Sequence, residues 1–180
     1  MESNGYVSIE AEHCNNIVGN TEACWQVIPN LGRTLSAVTP VPVTSYAQTP
    51  GDDNPHLEYQ VYLFNKGEVK VNAYFSPTLN FNNSKEGIRY AVSFDDDVPQ
   101  IVKVTSNPNP PDLNNDPVWN KWVADNINIQ STTHKIDKEG EHILKFWMVD
   151  PGIVLQKIVI DAGGEKESYL GPSESFHQIK

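Results

Sequence analysis

Two nearby stretches alternate apolar and polar side chains with a period of two: Leu57-Glu58-Tyr59-Gln60-Val61-Tyr62-Leu63 and Val69-Lys70-Val71-Asn72-Ala73-Tyr74. Successive side chains of a strand point to opposite faces, so this pattern describes a sheet with one face on a core and the other towards water. Asn65-Lys66-Gly67 lies between the two stretches, and the pair is predicted to form a hairpin. Further strands are predicted over residues 24–28, 42–45, 88–94, 100–104, 127–136, 142–149 and 154–161. Turn-forming clusters separate them: Pro50 to Pro55, Asn80 to Gly87 and Asp137 to Gly140. Many short strands divided by such turns predict an all-β fold, a jelly-roll-like β-sandwich.

The 180 residues suit one domain with a sizeable core. The sandwich is assigned to residues 5–163, and the polar, turn-rich residues 164–180 to a tail that wraps its surface. One short helix is predicted inside a loop. Asp116 is placed to cap it and Pro117 to start it. Trp119, Trp122 and Val123 then share a face expected to pack on the sandwich. Residues 106–115, rich in Pro and Asn, are expected to cross the surface.

The first strand is read over residues 5–13. Val7, Ile9 and Ala11 fall on one face and Ser8, Glu10 and Glu12 on the other. Two carboxylates so placed admit two readings. Either the face is solvated, or the pair ligates a hard cation such as Ca²⁺, which takes carboxylate and carbonyl oxygens at about 2.3–2.6 Å.

A net charge of −10 and no basic stripe exclude nucleic acid as a partner. No apolar run reaches the roughly 18–20 residues of a membrane-spanning helix. Met1-Glu2-Ser3-Asn4 leads straight into the first strand without an export signal. The chain is thus cytosolic or a piece of a longer exported chain, and the second reading is preferred. Cys14 and Cys24 flank a polar loop. They would face each other if that loop turned the chain into an adjacent antiparallel strand, so a disulfide and two free thiols both stay open.

No phosphate loop, nucleophile elbow or zinc-protease motif is present, and no residue is assigned a catalytic role. The histidines at 13, 56, 134, 142 and 177 show no ligand spacing. Ile143 is read as facing the core, which makes His142 an exposed strand residue. Asp95-Asp96-Asp97 reads as a solvated acidic turn. Trp25 and Tyr46 near loop ends, and Trp119 on the helix, are the candidate aromatic platforms for a sugar ring.

Three segments carry a resemblance. They are the run from Tyr6 to His13, Trp25-Gln26-Val27-Ile28-Pro29-Asn30-Leu31-Gly32-Arg33-Thr34, and the run from Leu144 to Asp161 around Asp150-Pro151-Gly152. With Ser168-Tyr169-Leu170-Gly171-Pro172 they resemble the C-terminal domain of family 115 glycoside hydrolases, which are xylan α-1,2-glucuronidases. The resemblance implies a sandwich similar to family 6/35 carbohydrate-binding modules, with the catalytic domains N-terminal to it. It also implies a structural Ca²⁺ held by Glu10, Glu12, a backbone carbonyl near Arg33 and a residue early in the last strand. Gln156 stands there in place of the family's Asp, a neutral and weaker ligand, and Asp161 would substitute only in another register.

The chain is therefore read as a noncatalytic accessory domain of a secreted or periplasmic bacterial α-glucuronidase. Its expected partners are glucuronoxylan or a related cell-wall polysaccharide, the parent chain's catalytic domains and a second copy of itself in a homodimer. The rival reading is a purely structural or dimerisation domain that binds no sugar.

Overall fold

The computed structural model describes residues 1–105, 115–166 and 168–177. Its strands are β1 (Tyr6–Glu10), β2 (Asn16–Val18), β3 (Cys24–Ile28), β4 (Ala37–Val41), β5 (His56–Leu63), β6 (Gly67–Phe75), β7 (Arg89–Phe94), β8 (Gln100–Lys103), β9 (Asn128–Ile136), β10 (Gly140–Met148) and β11 (Leu155–Asp161). One sheet runs β3-β4-β11-β6-β9, with β1 also paired to β11; the other runs β2-β5-β10-β7-β8. All pairings are antiparallel. The two sheets close on one core, as the alternation predicts. Phe75, Tyr90 and Phe146 sit at its centre, with Tyr90 stacked on Phe146 at 5.2 Å between ring centres.

The predicted hairpin is a crossover instead. β5 pairs with β2 and β10, whereas β6 pairs with β9 and β11 in the other sheet. Leu57, Tyr59, Val61 and Leu63 therefore meet Val69, Val71, Ala73 and Phe75 within the core between the sheets rather than along one sheet. A period of two says that a strand has an apolar face; it does not say whether the next strand lies beside that face or opposite it.

Two strands differ in place. The one expected over 42–45 lies earlier, at β4, and Ser45 N–H closes a turn on the Pro42 carbonyl at 3.0 Å. β2, with three residues, is too short for alternation to reveal. Its pairing with β5 also separates the cysteines. β2 and β3 enter different sheets, the facing pair does not form, and both thiols are free.

His142 lies on the opposite face from the one expected. It is buried in phase with Leu144, Phe146 and Met148, while Ile143 is only half-buried. The inner face of β10 is set by its even-numbered residues, and the imidazole is accommodated by bonding Asp95 Oδ2 at 2.7 Å and the Lys138 carbonyl at 3.0 Å.

The helix α1 (Pro117–Asp125) starts where expected. Asp116 Oδ1 accepts the N–H groups of Val118 and Trp119 at 2.8 and 2.9 Å. Left-handed Asn126, at φ 51°, ends it. Its packing differs from expectation, because no helical residue is buried. Trp119 and Trp122 are half-exposed and meet edge to face, and Val123 faces solvent. Of the expected surface loop, residues 106–114 lie outside the described residues. Among the described residues no helix is long and apolar enough to cross a membrane.

β1 turns Val7 and Ile9 into the core and ends in a 3₁₀ turn, Ala11–His13, held by Tyr59 Oη donating to the Ala11 carbonyl at 2.9 Å. Its other face is not solvated. Ser8 and Glu10 are buried because residues of the C-terminal segment lie over them. Ser175 N–H donates to the Ser8 carbonyl at 2.8 Å, and Ser8 N–H donates back to Ser175 Oγ at 3.0 Å.

Candidate functional site

The β3–β4 loop gathers the acidic face of β1 and the start of β11. β6 occupies one edge of β11; β1 pairs along the other edge, and β4 meets β11 only at Leu155. The loop entering β4 therefore reaches the end of β1. Thr34 Oγ1 donates to Glu10 Oε1 at 2.6 Å, and Ser36 N–H to Glu12 Oε1 at 2.9 Å. The register of β11 on β6 shifts between Leu155 and Lys157, leaving Gln156 out of the ladder. Its Oε1 accepts Arg33 N–H at 2.9 Å and its Nε2 donates to Ser76 Oγ at 2.8 Å. Glu10, Glu12, Arg33 and Gln156, far apart in sequence, are thus brought to one place.

Sequence reasoning missed the residue between them. Lys157 lies opposite Glu10 in the β1–β11 register, and its Nζ is 3.1 Å from Glu10 Oε1, with both side chains 4% exposed. The ammonium also donates to the carbonyls of Pro172 at 3.1 Å and Leu170 at 3.4 Å. Arg33 stacks its guanidinium 4.0 Å from the ring centre of Tyr169. The tail thereby roofs the cluster. Lys157 adjoins Gln156 in the sequence, but only the strand register turns it towards Glu10.

This arrangement does not fit a Ca²⁺ among these residues. Ca²⁺ takes six to eight oxygens, whereas Glu10 Oε1, Glu12 Oε1 and Gln156 Oε1 each already accept a hydrogen bond. Glu10 Oε2 is buried without a partner and supplies one open acceptor. The Lys157 ammonium already neutralises Glu10 at 3.1 Å and would repel an added cation. Asp161 pairs with Tyr6 at the other end of β1, and its Oδ1 accepts the N–H groups of Gly163, Gly164 and Glu165.

The aromatic candidates separate by exposure. Trp25, expected near a loop end, is 7% exposed and packs edge-on to Phe146, so neither ring face is open to a sugar. Its strand position turns it inward with the core side chains. Tyr46 is 80% exposed in the β4–β5 loop, and Trp119 is half-exposed. The same end of the sandwich carries Phe81, missed in the sequence and 51% exposed. A Cβ at Gly152 would run into the Phe81 ring, so the β10–β11 turn needs glycine there, at φ +88°. Gln48 N–H donates to the Val149 carbonyl at 2.7 Å, drawing the Tyr46 loop onto that turn. Arg89 clamps the turn with two guanidinium bonds to Asp150, at 2.7 and 3.1 Å.

Of the acidic turn, Asp96 is solvated as expected, but Asp95 is not free. Burial opposes its ionisation, yet the Ile143 N–H and His142 outweigh that and hold the carboxyl below its ordinary range. The wall between β1, β5, β10 and the tail is hollow, with a cavity of about 830 Å³ bordered by His13, Tyr59, His142, Glu174 and His177.

The two-sheet antiparallel sandwich shares its fold with carbohydrate-binding modules. The chain aligns with such modules in solved structures. They include a family 35 carbohydrate-binding module from Clostridium thermocellum (18% identity, TM-score 0.54, 86% of this chain and 97% of that one). Another is the C-terminal family 6 module of a laminarinase from Zobellia galactanivorans (13% identity, TM-score 0.54, 87% and 98%). The model of the glycosyl hydrolase family 115 C-terminal domain matches residues 1–174, and the chain belongs to that family. A family 115 4-O-methyl-α-glucuronidase described as specific for decorated arabinogalactans superposes over 89% of the chain, with TM-score 0.65 and 15% identity. The chain spans only 18% of that enzyme's length. No curated protein matches the sequence.

Proposed function

We propose that the chain is a noncatalytic accessory domain of a xylan α-1,2-glucuronidase that holds glucuronoxylan, or a related cell-wall polysaccharide, beside the catalytic domains of its parent chain. The supporting observation is the loop end, where Tyr46 stands 80% exposed on a loop fixed to the β10–β11 turn. An exposed phenol offers a flat apolar face to a pyranose and a hydroxyl at its rim. The noncatalytic reading rests on the acids. Glycosidases need two carboxyl groups whose environments push their pKa values apart, whereas Asp95 is kept ionised by its partners and Asp96 stands in water. The reading carries with it export to the periplasm or the medium as part of a larger chain.

Affinity electrophoresis of the purified domain through gels containing glucuronoxylan tests the reading. Retardation is expected, reduced several-fold in Tyr46→Ala without a change in melting temperature, and no uronic acid should be released. Equal mobility with and without glucuronoxylan, or retardation indifferent to Tyr46→Ala, would favour a structural role, with sedimentation then reading the dimer. Sustained release of glucuronic acid would overturn the noncatalytic reading.

A further inference from the structure

We propose that His13, Glu174 and His177 form a Zn²⁺ site that clips the C-terminal segment onto the first strand. His13 stands 161 positions before Glu174, yet a ligand atom from each of the three residues lies within 4.8 Å of the other two. His13 Nδ1 is 2.7 Å from Glu174 Oε1, and His177 Nδ1 is 3.8 Å from Glu174 Oε2. The two imidazole rings are 4.8 Å apart at their centres and tilted by 30°. Zn²⁺ bonds of about 2.0–2.2 Å in a tetrahedron put neighbouring ligand atoms roughly 3.3–3.6 Å apart. The side chains are 32%, 19% and 43% exposed, which leaves them room to adjust to that spacing.

The surroundings set the ligands in place. The 3₁₀ turn that carries His13 is fixed from beneath by Tyr59. Glu174 Oε1 accepts Glu10 N–H at 3.1 Å, and its neighbour Ser175 is bonded to Ser8 from both sides. Beyond it the Met1 ammonium donates to the Phe176 carbonyl at 3.1 Å, so the start of the chain is held against the same segment. Two imidazoles and one carboxylate suit a borderline divalent ion such as Zn²⁺ and not Ca²⁺, which takes oxygen. The cluster borders the 830 Å³ cavity, which leaves a fourth position for water. In the metal-free chain the His13–Glu174 hydrogen bond is the contact that the ion would replace.

Calorimetric titration of the metal-free chain with ZnCl₂, and in parallel with CaCl₂, tests the site. One equivalent of Zn²⁺ should bind and Ca²⁺ should not. Zn²⁺ at about 100 times its dissociation constant should raise the melting temperature by roughly 5–10 °C. His13→Gln and His177→Gln should each weaken binding at least tenfold while leaving the circular dichroism of the metal-free chain unchanged. His177→Gln is the safer of the two for folding, since that side chain is the more exposed. No Zn²⁺ binding, binding indifferent to both substitutions, or binding lost instead in Cys24→Ser would overturn the proposal.

Discussion

Glu10 and Lys157 face each other across the β1–β11 ladder as a buried ion pair, 3.1 Å from Oε1 to Nζ. The pair ties the N-terminal strand to the centre of its sheet. Through Thr34, Pro172 and Leu170 it also ties in the β3–β4 loop and the tail. Removing one partner of a buried pair strands the other charge, whereas removing both strands neither.

Lys157→Met should accordingly cost about 3–5 kcal/mol, and the double variant Glu10→Met/Lys157→Met should recover much of that loss. Urea unfolding curves of the two variants and the parent chain measure it. Because the positive charge is internal, Ca²⁺ added to the metal-free parent should leave its melting temperature unchanged. A rise with Ca²⁺ would show that the cluster rearranges to ligate it.

His134 predicts an acid limb that begins well above the carboxylate range. Burial pushes its imidazole below the ordinary value, against the opposing charge of Asp97. The neutral ring is matched to its partners: Nδ1 accepts from Gln100 Nε2 at 3.2 Å and Nε2–H donates to Thr132 Oγ1 at 2.8 Å. A depressed folded-state pKa contributes stability that is complete above the unfolded value of about 6.5 and is lost as pH falls through the folded one. The parent chain should therefore lose stability as pH falls below about 6.5, and His134→Gln should lose less over that fall, as read from urea midpoints. Asp95, lowered in the same sense, adds a second loss below about pH 4.

Two buried tyrosines should answer oppositely to loss of their hydroxyls. Tyr90 Oη has no partner among the described residues, and Tyr59 Oη bonds the Ala11 carbonyl at 2.9 Å. Tyr90→Phe removes an unpaired polar atom and should leave stability unchanged or raise it by up to about 1 kcal/mol. Tyr59→Phe strands a carbonyl and should cost about 0.5–1.5 kcal/mol. Paired denaturation curves decide between the two signs.

Alternation, turn residues and capping chemistry are local properties, and they determined the all-β sandwich, most of its strands and the start of the helix. Val7, Ile9 and Ala11 face the core as their spacing requires, and Asp116 caps where its side chain can reach. The motifs from Tyr6 to His13, Trp25 to Thr34, Leu144 to Asp161 and Ser168 to Pro172 also carried the family. Pairing was beyond local pattern. β5 and β6 look like a hairpin but enter different sheets, because an apolar face is satisfied as well by an opposing strand as by a neighbour. Register decided that Lys157 meets Glu10, and the phase of β10 decided that His142 turns inward. The tail's course over β1 decided that His13, Glu174 and His177 converge. Each of these is a contact between distant segments, set by the closure of two sheets on a single core.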